Sequence, residues 1–311
     1  MAKNKRGDNI NGWVNLNKPL GMTSTQAIGK IRSILKGNKA GHAGTLDPLA
    51  TGILPIALGE ATKTIPYIQD SLKTYEFTVT WGEQRDTDDM EGDVIATSPQ
   101  RPDKKSILEV LPEFIGKIEQ TPPRFSAIKI DGKRAYDLAR SGQEVELKPR
   151  NVYIKSLELI EPHKDTARFN MTCGKGTYVR SLARDMAEKL GTKGYVSVLQ
   201  RTRVGPFTLE NTISLDKLLD MDYLAARCEA LLPVGIALDD IPALTLNREE
   251  TEKLRAGQSV EFISRPDFER LEKAGLSGAE EKVAVASYRD QTIAIIEVNK
   301  YKIKPVRVFN F

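Results

Sequence analysis

The sequence predicts an α+β protein with a large sheet domain followed by a small β-rich one. Three observations carry that prediction. Strand and helix patterns follow one another without regular βα alternation, which disfavours a doubly wound sheet. The texture changes near residue 240, where short strands and turns take over. A chain of 311 residues with 40% hydrophobic and 28% charged residues is long enough for two domains and apolar enough to bury a core.

Residues 1–10 read as a disordered lead. Trp13 to Lys18 reads as a short strand stopped by Pro19. Thr23 and Gln26 match a capping box; Ala27, Ile28, Ile31, Ile34 and Leu35 follow at helical spacing, with Gly37 closing the helix. Residues 41–62 have neither period, and read as a well-packed loop in which Asp47 and Glu60 stand amid apolar and small residues. Tyr75, Phe77, Val79 and Trp81 alternate with polar residues and predict a half-buried strand. The acidic run that follows reads as a solvated turn. Lys129 to Lys133, around Asp131-Gly132, reads as a hairpin, followed by a short helix ending near Gly142. Strands are expected at about 151–160 and 167–173, with Phe169, Met171 and Cys173 on one face. Val179, Leu182, Ala183, Met186, Ala187 and Leu190 form a helical stripe ended by Gly191, with Tyr178 and Arg180 in the first turn. Beyond residue 240, Asn247 and Glu250 cap a short helix that stops at Gly257. Strands near 283–288, 292–298 and 304–309 follow, with Lys300, Lys302 and Lys304 on one face of an extended chain.

Composition excludes several classes. No window approaches eighteen apolar residues, so no membrane span is expected. The basic N-terminus lacks the apolar stretch of a secretory signal. Cys173 and Cys228 are too few for a disulfide framework, which points to a reducing, cytoplasmic compartment. His42 and His163 are the only histidines, so a His/Cys zinc site is not expected. The formal charge of +4 hides an uneven distribution. Residues 1–40 carry eight Lys/Arg and one Asp, and residues 175–203 carry seven against Asp185 and Glu188. Residues 80–100 run the other way, with six carboxylates against Arg85. The asymmetry agrees with a nucleic-acid ligand and equally with ordinary solvated faces.

Single motifs say little. Gly174-Lys175-Gly176 does not complete a dinucleotide fingerprint and reads as a turn. The acidic run has Met90 where a calcium loop needs an oxygen ligand. Cys173 reads as core. Asp47, in Gly44-Thr45-Leu46-Asp47-Pro48-Leu49, is different: an aspartate there needs a cation or backbone amides to remain charged. Arg180 is a candidate for that cation, and the alternative is that Asp47 caps its own turn.

Longer segments carry a resemblance. Gly41-His42-Ala43-Gly44-Thr45-Leu46-Asp47-Pro48-Leu49-Ala50-Thr51-Gly52 resembles the central motif of the bacterial TruB family, the tRNA pseudouridine-55 synthases. Asn17-Lys18-Pro19-Leu20-Gly21, Lys73-Thr74-Tyr75-Glu76, Gly176-Thr177-Tyr178-Val179-Arg180-Ser181-Leu182 and Leu199-Gln200-Arg201-Thr202 with Val204-Gly205-Pro206-Phe207 resemble further family segments in the same order. The likeness spans residues 12–240, and the remaining residues are similar to a PUA-type RNA-binding module. The resemblance implies a mixed, mostly antiparallel central sheet with flanking helices and the cleft across its middle. It implies a catalytic domain over 11–239, with 122–150 as a thumb on the RNA, and a PUA-like domain over 240–311. Position by position, Asp47 would be the catalytic aspartate, paired with Arg180. Tyr75 would stack on the target base and assist proton removal. Tyr178 would line the pocket, and Leu199 would pack near the base. His42 would fill the gap left by the flipped uridine, and Lys18 with Pro19 would support the site. Gln200, and Lys193-Gly194-Tyr195-Val196, depart from the family pattern.

The implied reaction detaches uracil from C1′, rotates it and rejoins it through C5. Such an isomerisation needs no cofactor, triphosphate or metal, and the implied partner is the T arm and elbow of tRNA, with no protein partner required. The carboxylate would act as nucleophile or as a base on the ribose. A sugar hydrolase, which normally uses two carboxylates, is the chemical rival; the motif's other carboxylate, Glu60, reads instead as a cap or salt-bridge partner. A non-catalytic RNA-binding protein or tRNA folding chaperone is the rival from another class. The basic segments would contact phosphates, and stacking by Tyr75 with refilling by His42 suits a base taken out of its stack.

Overall fold

The computed structural model describes residues 10–126, 129–130, 133–134, 147–278 and 280–311. It is built on two sheets. The larger has nine strands, seven of them in the order β1-β3-β12-β4-β11-β10-β7. Strand β1 (Gly12–Lys18) pairs antiparallel with β3 (Ala50–Leu58), and β2 (Ala40–His42) also lies against β3. Strand β4 (Lys73–Trp81) stands between β11 (Thr166–Cys173) and β12 (Gly194–Val204), and β10 (Arg150–Pro162) joins β11 to β7 (Gly116–Gln120). The short β13 (Phe207–Thr208) folds back on β12. Among the described residues only β3 and β12 run parallel within this sheet, so the mixed, mostly antiparallel arrangement is found as expected.

Hydrophobic pattern and caps explain most elements. Helix α1 (Ser24–Ile34) begins at the predicted capping box: Thr23 Oγ1 accepts from Gln26 N–H, and the Gln26 side chain accepts from Thr23 N–H. It ends one residue sooner than Gly37 predicts, because Lys36 takes the left-handed conformation at φ 52°. In β4 the alternating face of Phe77, Val79 and Trp81 is buried, and Phe169 of β11 stacks on Phe77. Cys173 lies in this core, and burial pushes its thiol up to about 11, so it is packing and not a nucleophile. Helix α4 (Val179–Lys189) buries its predicted stripe against β12, with Gly191 left-handed beyond it. Helices α2 (Ile65–Asp70) and α3 (Lys104–Val110) lie between these elements in the chain.

Two expectations need correction. Residues 41–62 are not one loop, because residues 50–58 form β3, a central strand buried on both faces. Such strands lose the alternation by which sequence reveals them. The acidic run is not a solvated turn. Residues 86–93 form a loop between β5 (Glu83–Arg85) and β6 (Val94–Thr97), in which Asp88 and Asp89 are buried. Where the hairpin was expected, β8 (Lys129–Ile130) pairs with β9 (Lys133–Arg134), and the Asp131-Gly132 turn itself falls outside the described residues. The short helix expected to end near Gly142 and the lead over residues 1–9 fall outside the described residues.

After two short helices, α5 (Leu215–Leu219) and α6 (Leu224–Cys228), a five-stranded sheet forms in the order β14-β16-β17-β18-β15. Its strands are β14 (Ala243–Thr245), β15 (Val260–Glu261), β16 (Lys282–Tyr288), β17 (Gln291–Asn299) and β18 (Lys302–Val308). Helix α7 (Arg248–Arg255) carries the predicted Asn247–Glu250 box, and α8 (Arg265–Lys273) completes the domain. Lys300 sits in the β17–β18 turn at φ 55°, so it does not continue the face of Lys302 and Lys304.

Candidate active site

Asp47 lies between β2 and β3, in a loop held by groups that come from far along the chain. The Asp47 carbonyl accepts from Ala50 N–H (3.1 Å), which closes the turn through Pro48. On one side Ser24 Oγ donates to the Leu46 carbonyl and accepts from the Leu46 N–H, both at 2.9 Å. On the other, Arg201 of β12 donates to the carbonyls of Ile53 (2.7 Å), Thr45 (3.2 Å) and Gly44 (3.2 Å) while itself 1% exposed. From below, Lys18 donates to the carbonyls of Pro19 and Met22 (2.8 Å each) and of Pro48 (3.3 Å). Buried backbone groups need partners, and these three side chains supply them to Leu46, Gly44, Thr45, Ile53 and Pro48. Lys18 is fully buried, so it supports the loop from within and offers no surface to a ligand. Burial lowers its ammonium to about 8, with the Asp47 charge opposing.

Arg180 meets the carboxylate. Its Nε is 3.0 Å from Asp47 Oδ2, so the aspartate's side chain engages the predicted cation. Arg180 is buried and Asp47 is about one-third exposed at 34%, which leaves the carboxylate as the accessible member. The remaining nitrogens of Arg180 are committed. Nη1 donates to the Thr87 carbonyl (3.0 Å) and lies 3.3 Å from Asp89 Oδ2, and Nη2 donates to the Phe125 carbonyl (2.9 Å). Asp89 in turn accepts from Thr87 Oγ1 (2.6 Å) and Glu91 N–H (3.0 Å). A planar guanidinium with all three nitrogens engaged cannot rotate away from Asp47 without breaking several bonds. Burial raises the Asp89 carboxyl, with Thr87 and Arg180 opposing.

Tyr178 caps α4, and the Gln120 side chain clamps its main chain. Gln120 Oε1 accepts from Tyr178 N–H (2.8 Å), and Nε2 donates to the Tyr178 carbonyl (3.1 Å). Tyr75 lies on β4 opposite Arg201 of β12 and Met171 of β11. Burial raises the phenols of Tyr75 and Tyr178, and the Asp47 charge raises both further. Leu199 pairs with Ala50 and Phe77, and packs in the core beneath the loop with Leu46 and Leu49. His42, at the end of β2, accepts from Gly44 N–H through Nδ1 (3.2 Å). Burial and the charge of Arg201 lower its pKa, so the ring is neutral with its proton on Nε2. Its contacts thus run to the Gly44–Arg201 side of the loop.

Asp47, Arg180, Tyr75 and Tyr178 are therefore brought into one electrostatic neighbourhood, with Lys18 and Leu199 beneath and His42 beside. The sequence reading missed Asp89, Arg201, Ser24 and Gln120 as parts of it. The available signals were a basic residue inside a strand, at Arg201, and a carboxylate run that an apolar-face helix rich in arginine could neutralise. Glu60, the second carboxylate of the central motif, is committed elsewhere: it pairs with Lys63 (2.6 Å) and accepts from Asn310 N–H (2.7 Å). Asp89 is 2% exposed, whereas Glu91 of the same acidic loop is exposed; burial raises the Glu91 carboxyl, and the charges of Asp89 and Asp47 raise it further.

Residues 32–179 match the model of the TruB family pseudouridylate synthase N-terminal domain, and residues 180–240 match that of the tRNA pseudouridylate synthase B C-terminal domain. The chain is 49% identical to a tRNA pseudouridine synthase B from Caulobacter vibrioides, covering 99% of each chain. It is 51% identical to a protein of the same name from Bradyrhizobium diazoefficiens, covering 99% of this chain and 90% of that one. Among solved structures, a Cbf5-Nop10-Gar1 complex has a chain that superposes with a TM-score of 0.71 at 25% identity, covering 96% of this chain and 84% of that one. A chain of an H/ACA RNP bound to a substrate RNA superposes with a TM-score of 0.73 at 21% identity, covering 100% and 92%. The latter likeness is one of fold.

Proposed function

The chain belongs to the TruB family of pseudouridylate synthases, and from that premise we propose that it isomerises uridine 55 in the T loop of tRNA to pseudouridine, with Asp47 as the reacting carboxylate. The observation that carries the reading is the pairing of a partly exposed Asp47 with a buried, fully engaged Arg180. In the reaction the N1–C1′ bond breaks and a C5–C1′ bond forms, C5 gives up its proton, and N1 ends protonated. A single ionised carboxylate suffices, either adding to the sugar or taking a proton from it. Arg180 holds Asp47 in one orientation through either course. Tyr75 and Tyr178 offer ring faces for an extruded base, and His42 offers a neutral ring to occupy the vacated stack. Glu60, the other carboxylate of the central motif, is held by Lys63 and Asn310, which speaks against its serving as the second carboxylate of a glycoside hydrolase. The tRNA is the only partner this chemistry requires.

Incubation with an unmodified tRNA transcript and no other component tests this, with pseudouridine mapped by carbodiimide-dependent primer-extension stops. The wild type is expected to produce one new stop, in the T loop. Asp47→Asn is expected to produce none while retaining tRNA binding. A wild type that binds tRNA tightly and makes no stop would favour a binding protein, and free uracil as product would favour a hydrolase.

A further inference from the structure

One buried ion pair beside the active site has no part in the chemistry above. Arg184 stands one helical turn beyond Arg180 on α4, on the same face. Its Nη1 lies 2.8 Å from Asp88 Oδ2, with side chains only 16% and 7% exposed. The acidic loop thus presents two adjacent aspartates to two arginines one turn apart: Asp89 to Arg180 and Asp88 to Arg184. In an extended chain adjacent side chains point to opposite sides. Asp88 has a φ of 59°, uncommon outside glycine, which turns both carboxylates toward the helix. Its main chain is gripped from two directions, by its own N–H donating to the Arg85 carbonyl (3.0 Å) and by Val196 N–H donating to its carbonyl (3.1 Å). Arg184 reaches further. It pairs with Asp185 (2.9 Å) and donates to the Thr121 carbonyl (2.9 Å), which also accepts from Ser181 Oγ (2.8 Å).

Two adjacent acceptors facing two donors admit a second register, in which Asp88 slips onto Arg180. Burying an ion pair carries a desolvation penalty that a well-packed apolar pair would avoid, so stability alone is a poor reason for it, and specifying one arrangement is the better one. We propose that the Arg184–Asp88 pair is a positioning device that pins the acidic loop in the register presenting Asp89 and the Thr87 carbonyl to Arg180. It thereby fixes the guanidinium that meets Asp47. Arg184 and Asp88 act through Arg180 and do not touch the reacting groups. The inference rests on the reading of Asp47 as the reacting carboxylate.

The test compares wild type, Arg184→Gln, Asp88→Asn, Arg184→Lys and the Arg184→Gln/Asp88→Asn double variant. Single-turnover pseudouridine formation at saturating tRNA, tRNA affinity and thermal unfolding are measured for each. A misplacement near 1 Å at a reacting group costs about 100-fold in rate. Arg184→Gln and Asp88→Asn are expected to slow the single turnover by about 10- to 100-fold, with tRNA affinity within about twofold of wild type. The double variant is expected to be no slower than the slower single one, because both break the same pin. Arg184→Lys, which keeps the charge, is expected to recover most of the rate. Asp88→Asn keeps the size of the side chain while removing the charge that holds Arg184, so it decides the matter if Arg184→Gln fails to fold. Single-turnover rates equal to wild type in folded variants overturn the proposal, as does a loss accounted for by weaker tRNA binding or by the folded fraction. A wild type that makes no pseudouridine would instead overturn the parent reading.

Discussion

At Lys18 burial and charge oppose each other, and the outcome sets a pH dependence. Burial lowers the ammonium to about 8 although Asp47 pulls the other way, while the unfolded chain holds that proton to about 10.4. Between those values the unfolded state binds more protons, so this group's contribution to stability rises with pH there; below 8 both states are charged and the burial cost stands in full. Activity should move oppositely. Above pH 8 the neutral amine keeps two N–H donors for three carbonyl acceptors, and Pro48, next to Asp47, has the longest of the three bonds. The turnover number of the wild type is expected to fall along an alkaline limb near pH 8, without a matching loss of thermal stability. Lys18→Met is expected to be slower by about tenfold, from a loosened loop, and to lack that limb. If both proteins share the limb, it belongs to another group, for which buried Lys73, also lowered to about 8, is the first choice. An aspartate among apolar residues demands a cation, but only the family resemblance, and not the local pattern, pointed to Arg180 as the partner of Asp47. Asp89 was not legible, because its burial depends on Arg180, some ninety residues away, and a carboxylate run without its partner reads as solvated.

Among the elements, β3 and β12 set the Asp47 loop, and both escaped sequence reading in whole or in part. Their residues are buried on two faces or broken by register shifts, so no clean alternation survives. Their parallel contact is close at one point. Gly52 has a φ of 95°, and a Cβ there would stand 2.3 Å from the Arg201 carbonyl oxygen. Gly176, also left-handed at φ 81°, has open space around it. The two separate strain from clash. Gly176→Ala is expected to cost about 1–3 kcal/mol, from conformation alone. Gly52→Ala carries that strain plus an overpacking cost of about 1–3 kcal/mol, because backbone must give way. It is also expected to slow turnover, since the displaced Arg201 holds Gly44, Thr45 and Ile53. Urea unfolding and single-turnover rates check both, and equal destabilisation by the two substitutions would show that β3 can move aside freely. The predicted elements with clean signatures, α1, β4, α4, α7 and the three long strands after residue 280, were legible because each signal lies within one short window. The acidic hairpin was not, since its apolar residues Val94 and Ile95 face solvent while two of its carboxylates, Asp88 and Asp89, face the protein.

Over the whole molecule, the two sheets share a core that no local pattern could announce. Trp13, Ile53, Ala57 and Phe207 from the large sheet, with Val234 and Leu238, pack in one cluster with Val285, Ile295 and Phe309. Polar contacts reinforce the join: Lys63 donates to the Val308 carbonyl (2.7 Å), and Asn310 N–H donates to Glu60 (2.7 Å). The second sheet is built from strands that follow residue 240, where the texture changes, but that change gives no sign of the dependence of one sheet on the other. A shared core predicts that the two unfold together, because losing one exposes the apolar face of the other. Phe309 is the sharpest probe, being 1% exposed and surrounded by residues of both sheets. Its replacement by alanine leaves a cavity worth about 3–5 kcal/mol. Scanning calorimetry of the wild type is expected to show one cooperative transition. Phe309→Ala is expected to lower it and to separate a second, earlier one as the five-stranded sheet loses its support. If the wild type already shows two transitions and the substitution moves only one of them, the sheets are independently stable and the cluster is a docking surface between them.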